Sequence, residues 1–423
     1  MASNAETIDL SKTTLVDPNI LAHPNAFYAA MRREDPVHYD ANLNMFLVSR
    51  YDDLQTVFRD PITYSVEKGF AQQYAAGFQE EYAEILKRDG GGVFGRAIMT
   101  DPPEHTRIRR LLDGAFTAHR VKQLEPRITA RVVELVEKIL DQGKADIFSD
   151  FSMELTSSII CEQLGVSVPT PILQRWALAL TQQISRMQNR EDMVKAATSV
   201  CELQNFLIEQ INDRKAHPKE DMISDLVHAR LEGEDNAALS FEEQVSLSMA
   251  LLVAGNETTA TALTNMFFIL ATQPDLTEQL YQNVEDDRFV TRFIEELLRW
   301  DPPVRGITRM TTKEVELGGK TLPAGSHLLL LYASANDDEN EFKCPREFDM
   351  ERTNIGRHVS FGAGVHRCAG AALARMELKV AAREIVKRMT DIKLTIPLEE
   401  VKYLPTVATH TIANLQLTFT RRK

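Results

Sequence analysis

Apolar residues recur at three- and four-residue steps over most of the chain, which predicts a mainly α protein with a minor antiparallel β region. The opening is polar to about residue 22, with an N-terminal extension over about 1–20, after which NAFYAAMRRED reads as a short amphipathic helix. PVHYD and MFLVSR form a two-strand hairpin around Ala41 to Asn44, and DDLQTVFRD starts a helix behind an aspartate cap. Between Pro61 and Ile98 the periodicity weakens. Gly90 to Gly92 and Gly95 interrupt a helical stretch near QEEYAEILKR, and a flexible covering loop is expected there. From Asp101 to about Arg230 helical spacing dominates.

Ser240 is followed three residues later by Glu243, a capping box that opens a segment apolar nearly all round and running to Pro274. Such a helix crosses an interior. LTEQLYQNV and RFVTRFIEELLRW are two more helices. Beyond Asp301-Pro302-Pro303, RGITRMTTKEVELGG alternates like a small antiparallel sheet, and HLLLLYASAN is a buried strand or a helix start. Residues 336 to 360 are irregular; AAALARMELKVAAREIVKRM is a final long helix before β-like KYLPTV and NLQLTFT. No repeat or charge-rich linker divides the pieces, so a single domain over 1–423 is expected.

Composition narrows the class. With 43% hydrophobic and 26% charged residues among 423, disordered and fibrous chains are excluded. The formal charge of −13 argues against nucleic-acid binding, which rests on clustered positive charge. Cys161, Cys201, Cys344 and Cys368 make neither a disulfide framework nor a CxxC metal site. The N-terminal residues read as no secretion signal and no apolar run is long enough to span a bilayer, so a cytoplasmic protein with no membrane span is expected. Gly90-x-Gly92-x-x-Gly95 spells a dinucleotide fingerprint, but the stretch before it is helical and charged where a buried strand is required. There is no HExxH and no close Cys/His cluster for zinc.

Candidate chemistry concentrates in Phe361-Gly-Ala-Gly-Val-His366-Arg367-Cys368-Ala-Gly370. The glycines permit tight backbone paths beside a flat ligand, and Cys368 stands just before a strong helix, where amide hydrogens and the helix dipole favour a thiolate. Taken alone, a cysteine among glycines and alanines is more simply a small buried hydrophobe. Read with other stretches it is more. Phe-Gly-x-Gly-x-His-x-Cys-x-Gly resembles the haem-binding signature of the cytochrome P450 family. Ala254-Gly255-Asn256-Glu257-Thr258-Thr259 resembles its oxygen-activation motif, Glu296-Leu-Leu-Arg299 its Glu-x-x-Arg pair, and Pro103-Glu104-His105-Thr106-Arg107-Ile108-Arg109 a further family motif, all in family order.

The resemblance implies the P450 fold and a haem b cofactor (iron protoporphyrin IX) whose iron takes Cys368 as thiolate ligand, with Phe361 packed against the sulfur or the ring. Buried propionates need donors; His105 and Arg109, four apart on one helix face, with Arg309 and His366, match those positions. Glu257 and Thr258 are implied as the catalytic acid–alcohol pair. Glu296 and Arg299 are a structural pair, with Arg352 as a candidate third member. Ala250, Val253, Ala254 and Val304, with residues near Thr409 to Ile412, are expected to wall a substrate pocket beneath the 61–98 stretch.

The function implied is a monooxygenase hydroxylating a lipophilic small molecule (terpenoid, steroid, fatty acid or aromatic) with O2 and electrons from a ferredoxin served by a separate NAD(P)H-dependent ferredoxin reductase. A basic face of Arg110, Arg367, Arg375 and Lys379, together with Arg107 and Arg120, would dock that ferredoxin. The rival readings are a peroxide-driven or non-hydroxylating P450 and a haem-binding sensor or scaffold without turnover; the intact Glu257-Thr258 pair disfavours both. Two positions depart from the family pattern. Asp337 stands where Arg is usual, which puts one ion pair in question, and Asn256 replaces a more frequent His.

Overall fold

The computed structural model describes residues 8–71, 78–95, 97–114, 117–182, 189–231 and 238–423. Its organising element is the helix Phe241–Thr272, which the Ser240 hydroxyl and Glu243 carboxylate cap reciprocally at 3.2 and 2.7 Å. Leu247, Leu252, Leu263 and Phe267 are fully buried on different sides of it, so it does run through the interior. Around it pack the helices Met153–Leu164, Asp287–Trp300 and Ala371–Arg388. The helix Ala118–Leu140 lies against Ala371–Arg388, burying the stripe Ile128, Val132, Leu135, Val136 and Ile139. One apolar cluster therefore draws on residues from Val121 to Phe419. Among the described residues no helix is long and apolar enough to cross a membrane.

The β structure is minor. Strands β1 (Val37–Asp40), β2 (Met45–Val48), β3 (Tyr64–Ser65), β5 (Gly306–Thr311) and β8 (His327–Leu331) form one sheet in the order β1-β2-β8-β5-β3. The expected hairpin is β1 and β2, in register from Val37↔Val48 to Asp40↔Met45. Three of the four pairings in this sheet are antiparallel; β2 and β8 run parallel. β4 (Lys144–Asp146), β9 (Met389–Leu394) and β10 (Gln416–Arg421) make a second sheet, and β6 (Val315–Leu317) with β7 (Lys320–Leu322) a hairpin.

Several local expectations are corrected. The helix Tyr51–Arg59 is capped by no aspartate of its own: the Tyr51 amide donates to Asp338 Oδ2 at 2.9 Å, an acceptor almost three hundred residues along the chain. The 61–98 stretch holds β3 and the helices Val66–Ala71 and Gln79–Asp89, with 72–77 and 96 outside the described residues. Gln204, on the helix Arg190–Ala216, clamps its glycine turn by accepting from Gly91 N at 3.1 Å and donating to Gly92 O at 3.0 Å. KYLPTV forms no strand and contributes only a bridge, Tyr403↔Ile412. HLLLLYASAN is both alternatives in turn, β8 and then the helix Tyr332–Asn336.

Candidate active site

A cavity of about 380 Å³ lies between the central helix, the Cys368 loop, the helix that follows it and β5. On the central helix its wall is Leu247, Ala250, Leu251, Ala254, Gly255, Thr258, Thr259 and Ala262, a stripe at steps of three and four. Val304 also lines it. Val253, expected in the wall, and Glu257 are not lining residues, because 100° per residue turns both away from that stripe. Thr409 to Ile412 sit behind the wall: Thr409 bridges Val304, and Thr411 Oγ1 lies 2.9 Å from Thr261 Oγ1.

The motif residues of the central helix divide their work. Thr258 Oγ1 donates to Ala254 O at 2.8 Å, and capture of a carbonyl four residues back loosens the ladder beside the cavity. A Cβ at Gly255 would stand 3.2 Å from Ile160, so the small residue lets the helix Met153–Leu164 approach. Asn256 is fully buried and accepts from Thr156 Oγ1 at 2.6 Å and Ser157 Oγ at 3.2 Å, stitching the same two helices together. The Glu257 carboxyl makes no hydrogen bond among the described residues, and burial pushes its pKa up.

Opposite stands the cysteine loop. Gly362 and Gly364 take φ of 64° and 67°, and a side chain at Gly364 would run into the carbonyl of Phe58. The Cys368 amide donates to Phe361 O at 2.9 Å, which closes the loop and turns the thiol toward the cavity. Depth within the protein raises the thiol pKa, against the lowering influence of the Gly370 amide and of Arg109, Arg375 and Arg367. The helix dipole alone predicted the opposite direction. Burial outweighs it, so a bound metal cation is what this sulfur needs to persist as thiolate.

At one edge of the cavity the ring centroids of His105 and His366 lie 4.0 Å apart. Among the described residues, neither nitrogen of His105 nor Nε2 of His366 has a partner. Burial, then neighbouring cations, depresses the pKa of both, His366 to about 3. Arg309, 4% exposed, lines the same edge and, among the described residues, bonds only to its neighbour's carbonyl, Thr308 O at 2.8 Å. Arg109 also lines it, clasping Arg367 O at 2.8 Å and Asp113 at 2.7 Å. A thiol open to the cavity, with a remote cluster of orphaned donors and a buried cation, fits a flat group that carries a metal at its centre and carboxylates on one edge. The residues fit haem b.

Glu296 and Arg299, both fully buried, form a bidentate pair at 2.7 and 2.8 Å, and Arg352 Nε joins Glu296 at 3.0 Å, as the sequence suggested. Asp337 does not break this cluster. It lies 3.8 Å from Arg299 and takes Arg346 at 3.2 Å, supplying a second carboxylate whose pKa burial raises.

The basic face is less uniform than expected. Arg110 and Arg367, the latter within the cysteine loop, are exposed. Arg375 is held by Glu295 at 2.6 and 2.9 Å and Lys379 by Asp287 at 2.7 Å, while Arg107 pairs with Glu104 and Glu243 and Arg120 with Asp225. Sequence reading missed Glu295, His358 and Glu377. Glu377 lines the cavity at 2% exposure with Oε2 unpartnered, and its signal is an acid four residues after Leu373 on an otherwise apolar helix face.

Comparison with known proteins agrees with this geometry. Residues 78–391 match the family model described as Cytochrome P450. Cytochrome P450 109 of Bacillus spizizenii is 32% identical over 391 residues, covering 90% of this chain and 88% of its own. Vitamin D(3) 25-hydroxylase of Pseudonocardia autotrophica is 30% identical over 401 residues, 94% of each chain. The solved structure of CYP109Q5 from Chondromyces apiculatus superposes with a TM-score of 0.84 at 29% identity, covering 98% of this chain and 100% of that one.

Proposed function

The chain belongs to the cytochrome P450 family, and we propose that it hydroxylates a terpenoid, steroid, fatty acid or aromatic with dioxygen and electrons from a ferredoxin. It is an oxidoreductase, a haem b enzyme with cysteine-thiolate ligation and a monooxygenase of lipophilic substrates. The observation that carries the site assignment is the opening of Cys368 onto the same cavity as the orphaned His105 and His366 and the buried Arg309.

Haem bound at Cys368 supplies the activation of dioxygen, and the net reaction is R–H + O2 + two electrons + two protons → R–OH + H2O. The chain does the rest. Arg109, Arg309, His105 and His366 hold the propionate edge, and Phe361 backs the sulfur. Val66, Ile98, Met99, Leu251 and Ile307 give the cavity an apolar wall that excludes water and binds a lipophilic molecule without strong discrimination per methylene. Thr258 places a hydroxyl on that wall, where it orients protons. Glu257, one residue back and off the stripe, replenishes them from the far side, its raised pKa keeping a proton available. The name of one relative, vitamin D(3) 25-hydroxylase, supports a substrate of this class.

Electrons are proposed to come from a ferredoxin with its own NAD(P)H-dependent reductase, docking at Arg110 and Arg367, with the chain acting as a single domain over 1–423 in the cytoplasm. The test is a screen of lipophilic molecules for substrate-induced Soret shifts, followed by product analysis with reduced ferredoxin under O2 and with peroxide alone. Hydroxylated product with ferredoxin supports the proposal. Turnover with peroxide only would replace it with the peroxide-driven alternative, and no ligand-induced shift in any class would favour a haem protein without turnover.

A further inference from the structure

Two neighbouring acids on the helix Asp287–Trp300 face different partners. Glu296 turns to Arg299 and Arg352, while Glu295, 100° around the helix, turns to the helix that follows the cysteine. Glu295 is 9% exposed and both its oxygens are engaged. Oε1 accepts from Arg375 Nε at 2.6 Å, and Oε2 from Arg375 Nη2 at 2.9 Å and from His358 Nε2 at 3.0 Å. The other nitrogen of His358 accepts from the Ser360 amide at 3.3 Å, which assigns the proton to Nε2 and leaves the imidazole neutral. The trio therefore sums to zero charge, one carboxylate against one guanidinium.

The guanidinium is not spent on that pair alone. Its carbon lies 4.4 Å from the centroid of the Phe361 ring, which His358 flanks at 6.1 Å. Phe361 O in turn accepts from the Cys368 amide at 2.9 Å, so the residue that carries this ring also closes the loop that holds the thiol, and Arg375 itself acts on that thiol by its charge. A cation behind this unit draws electron density toward itself, and a carboxylate beside the cation cancels that pull. Arg375 was expected to face a redox partner, but its Nε and Nη2 are engaged by Glu295 and its side chain is only 25% exposed.

We infer that Glu295 and Arg375 are a charge-compensated positioning pair that sets how strongly Cys368 donates to its metal, acting through the packed Phe361. The inference rests on the reading of Cys368 as the axial ligand. It makes neither residue catalytic, since neither touches substrate. Removing the carboxylate leaves an uncompensated cation behind the sulfur, weakens donation and moves the haem reduction potential in the positive direction. Removing the guanidinium leaves the opposite charge and moves it in the negative direction. A pair that served only packing would give no such opposition of sign.

The experiment is spectroelectrochemistry of the holoenzyme and of Glu295→Gln, Arg375→Gln, the double variant and Arg375→Lys. The expected result is opposite shifts for the two single glutamine variants, a return toward the parent in the double variant, and little change for Arg375→Lys, which keeps the charge. Shifts of one sign in both singles, no shift in either, or a lysine variant displaced as far as Arg375→Gln overturns the inference. Should the glutamine variants lose haem, the lysine variant decides: a potential held at the parent's value supports the charge argument, and a displaced one overturns it. The carbon monoxide complex of the reduced parent is read first. Absence of a thiolate-type band there would sink the Cys368 assignment itself, separately from this pair.

Discussion

The imidazole rings of His105 and His366 stand 4.0 Å apart, tilted by 47°, although they come from the helix Glu104–Asp113 and from the cysteine loop, some 260 residues later in the chain. Three of their four nitrogens are buried without a partner among the described residues. Nothing in the protein's own stability favours that arrangement, since burying an unpaired donor costs about 1–3 kcal/mol. Under the proposed function, an anionic edge of the cofactor supplies the missing partners.

His105→Ala and His366→Ala are therefore expected to loosen haem while sparing the fold. A hydrogen bond to a charged group contributes about 1.5–3 kcal/mol, so each variant should release haem roughly tenfold to a hundredfold faster. Transfer of haem to an excess of apomyoglobin measures this. Release at the parent's rate from both variants would remove the histidines from the propionate edge.

Glu296→Ala should behave in the opposite way, damaging stability first. It strands Arg299, fully buried, and Arg352 at 7% exposure, and leaving such charges unpaired costs about 3–5 kcal/mol. Denaturant unfolding reads it. A loss under about 1 kcal/mol would mean that Asp337, 3.8 Å from Arg299, takes over the compensation.

How far the sequence reaches depends on the range of the interaction. The capping box at Ser240 and the hairpin at Ala41 to Asn44 are local, and the structure has both. So are Glu296 and Arg299, one turn apart. The cap of the helix Tyr51–Arg59 comes from Asp338, and no local pattern announces such an acceptor. β9 was missed because Met389 and Ile392 are buried three apart, a helical interval, and only the distant β10 makes the segment a strand. Arg375 and Lys379 read as a basic surface because Glu295 and Asp287 lie eighty or more residues upstream. Val253 reads as a wall residue by its small aliphatic side chain, whereas helix rotation decides which positions of the central helix face the cavity.

Thr258→Ala should preserve haem ligation and most substrate affinity, since Cys368 and the apolar walls remain. It removes the hydroxyl from the cavity stripe. Reductant is then still consumed, but hydrogen peroxide rises and organic product per electron falls. Glu257→Gln, off the stripe, should lower the overall rate more than the coupling. Coupling in Thr258→Ala equal to the parent's would pass the role to Thr259, the adjoining hydroxyl on the same wall.

Arg110→Glu and Arg367→Glu should slow reduction by ferredoxin at low ionic strength and leave substrate-induced spectral change intact, both effects fading as salt rises. Lys379→Glu should do less than Arg367→Glu, because Asp287 already engages Lys379 at 2.7 Å. Stopped-flow reduction compares them. Equal rates for all three and the parent at low salt would place the partner elsewhere.

Glu377 gives a prediction in which the direction with pH is the test. Its carboxyl lines the cavity at 2% exposure without a hydrogen bond to Oε2, and burial lifts its pKa well above the ordinary 4.5. The folded protein therefore keeps this proton at pH values where the unfolded chain has released it. Above about pH 4.5 the native state holds more protons than the unfolded one, so stability falls as pH rises, by at most about 1.4 kcal/mol per pH unit, until the raised pKa is passed. Glu377→Gln has no proton to hold and lacks that slope. Its amide adds a constant penalty for unpaired donors, which shifts the curve without tilting it. The thermal midpoint of the holoenzyme variant minus that of the parent should therefore climb as pH rises above about 4.5, until the raised pKa is passed. Parallel curves across that window would mean that Glu377 ionises normally, through water or a partner reaching Oε1 from the cavity.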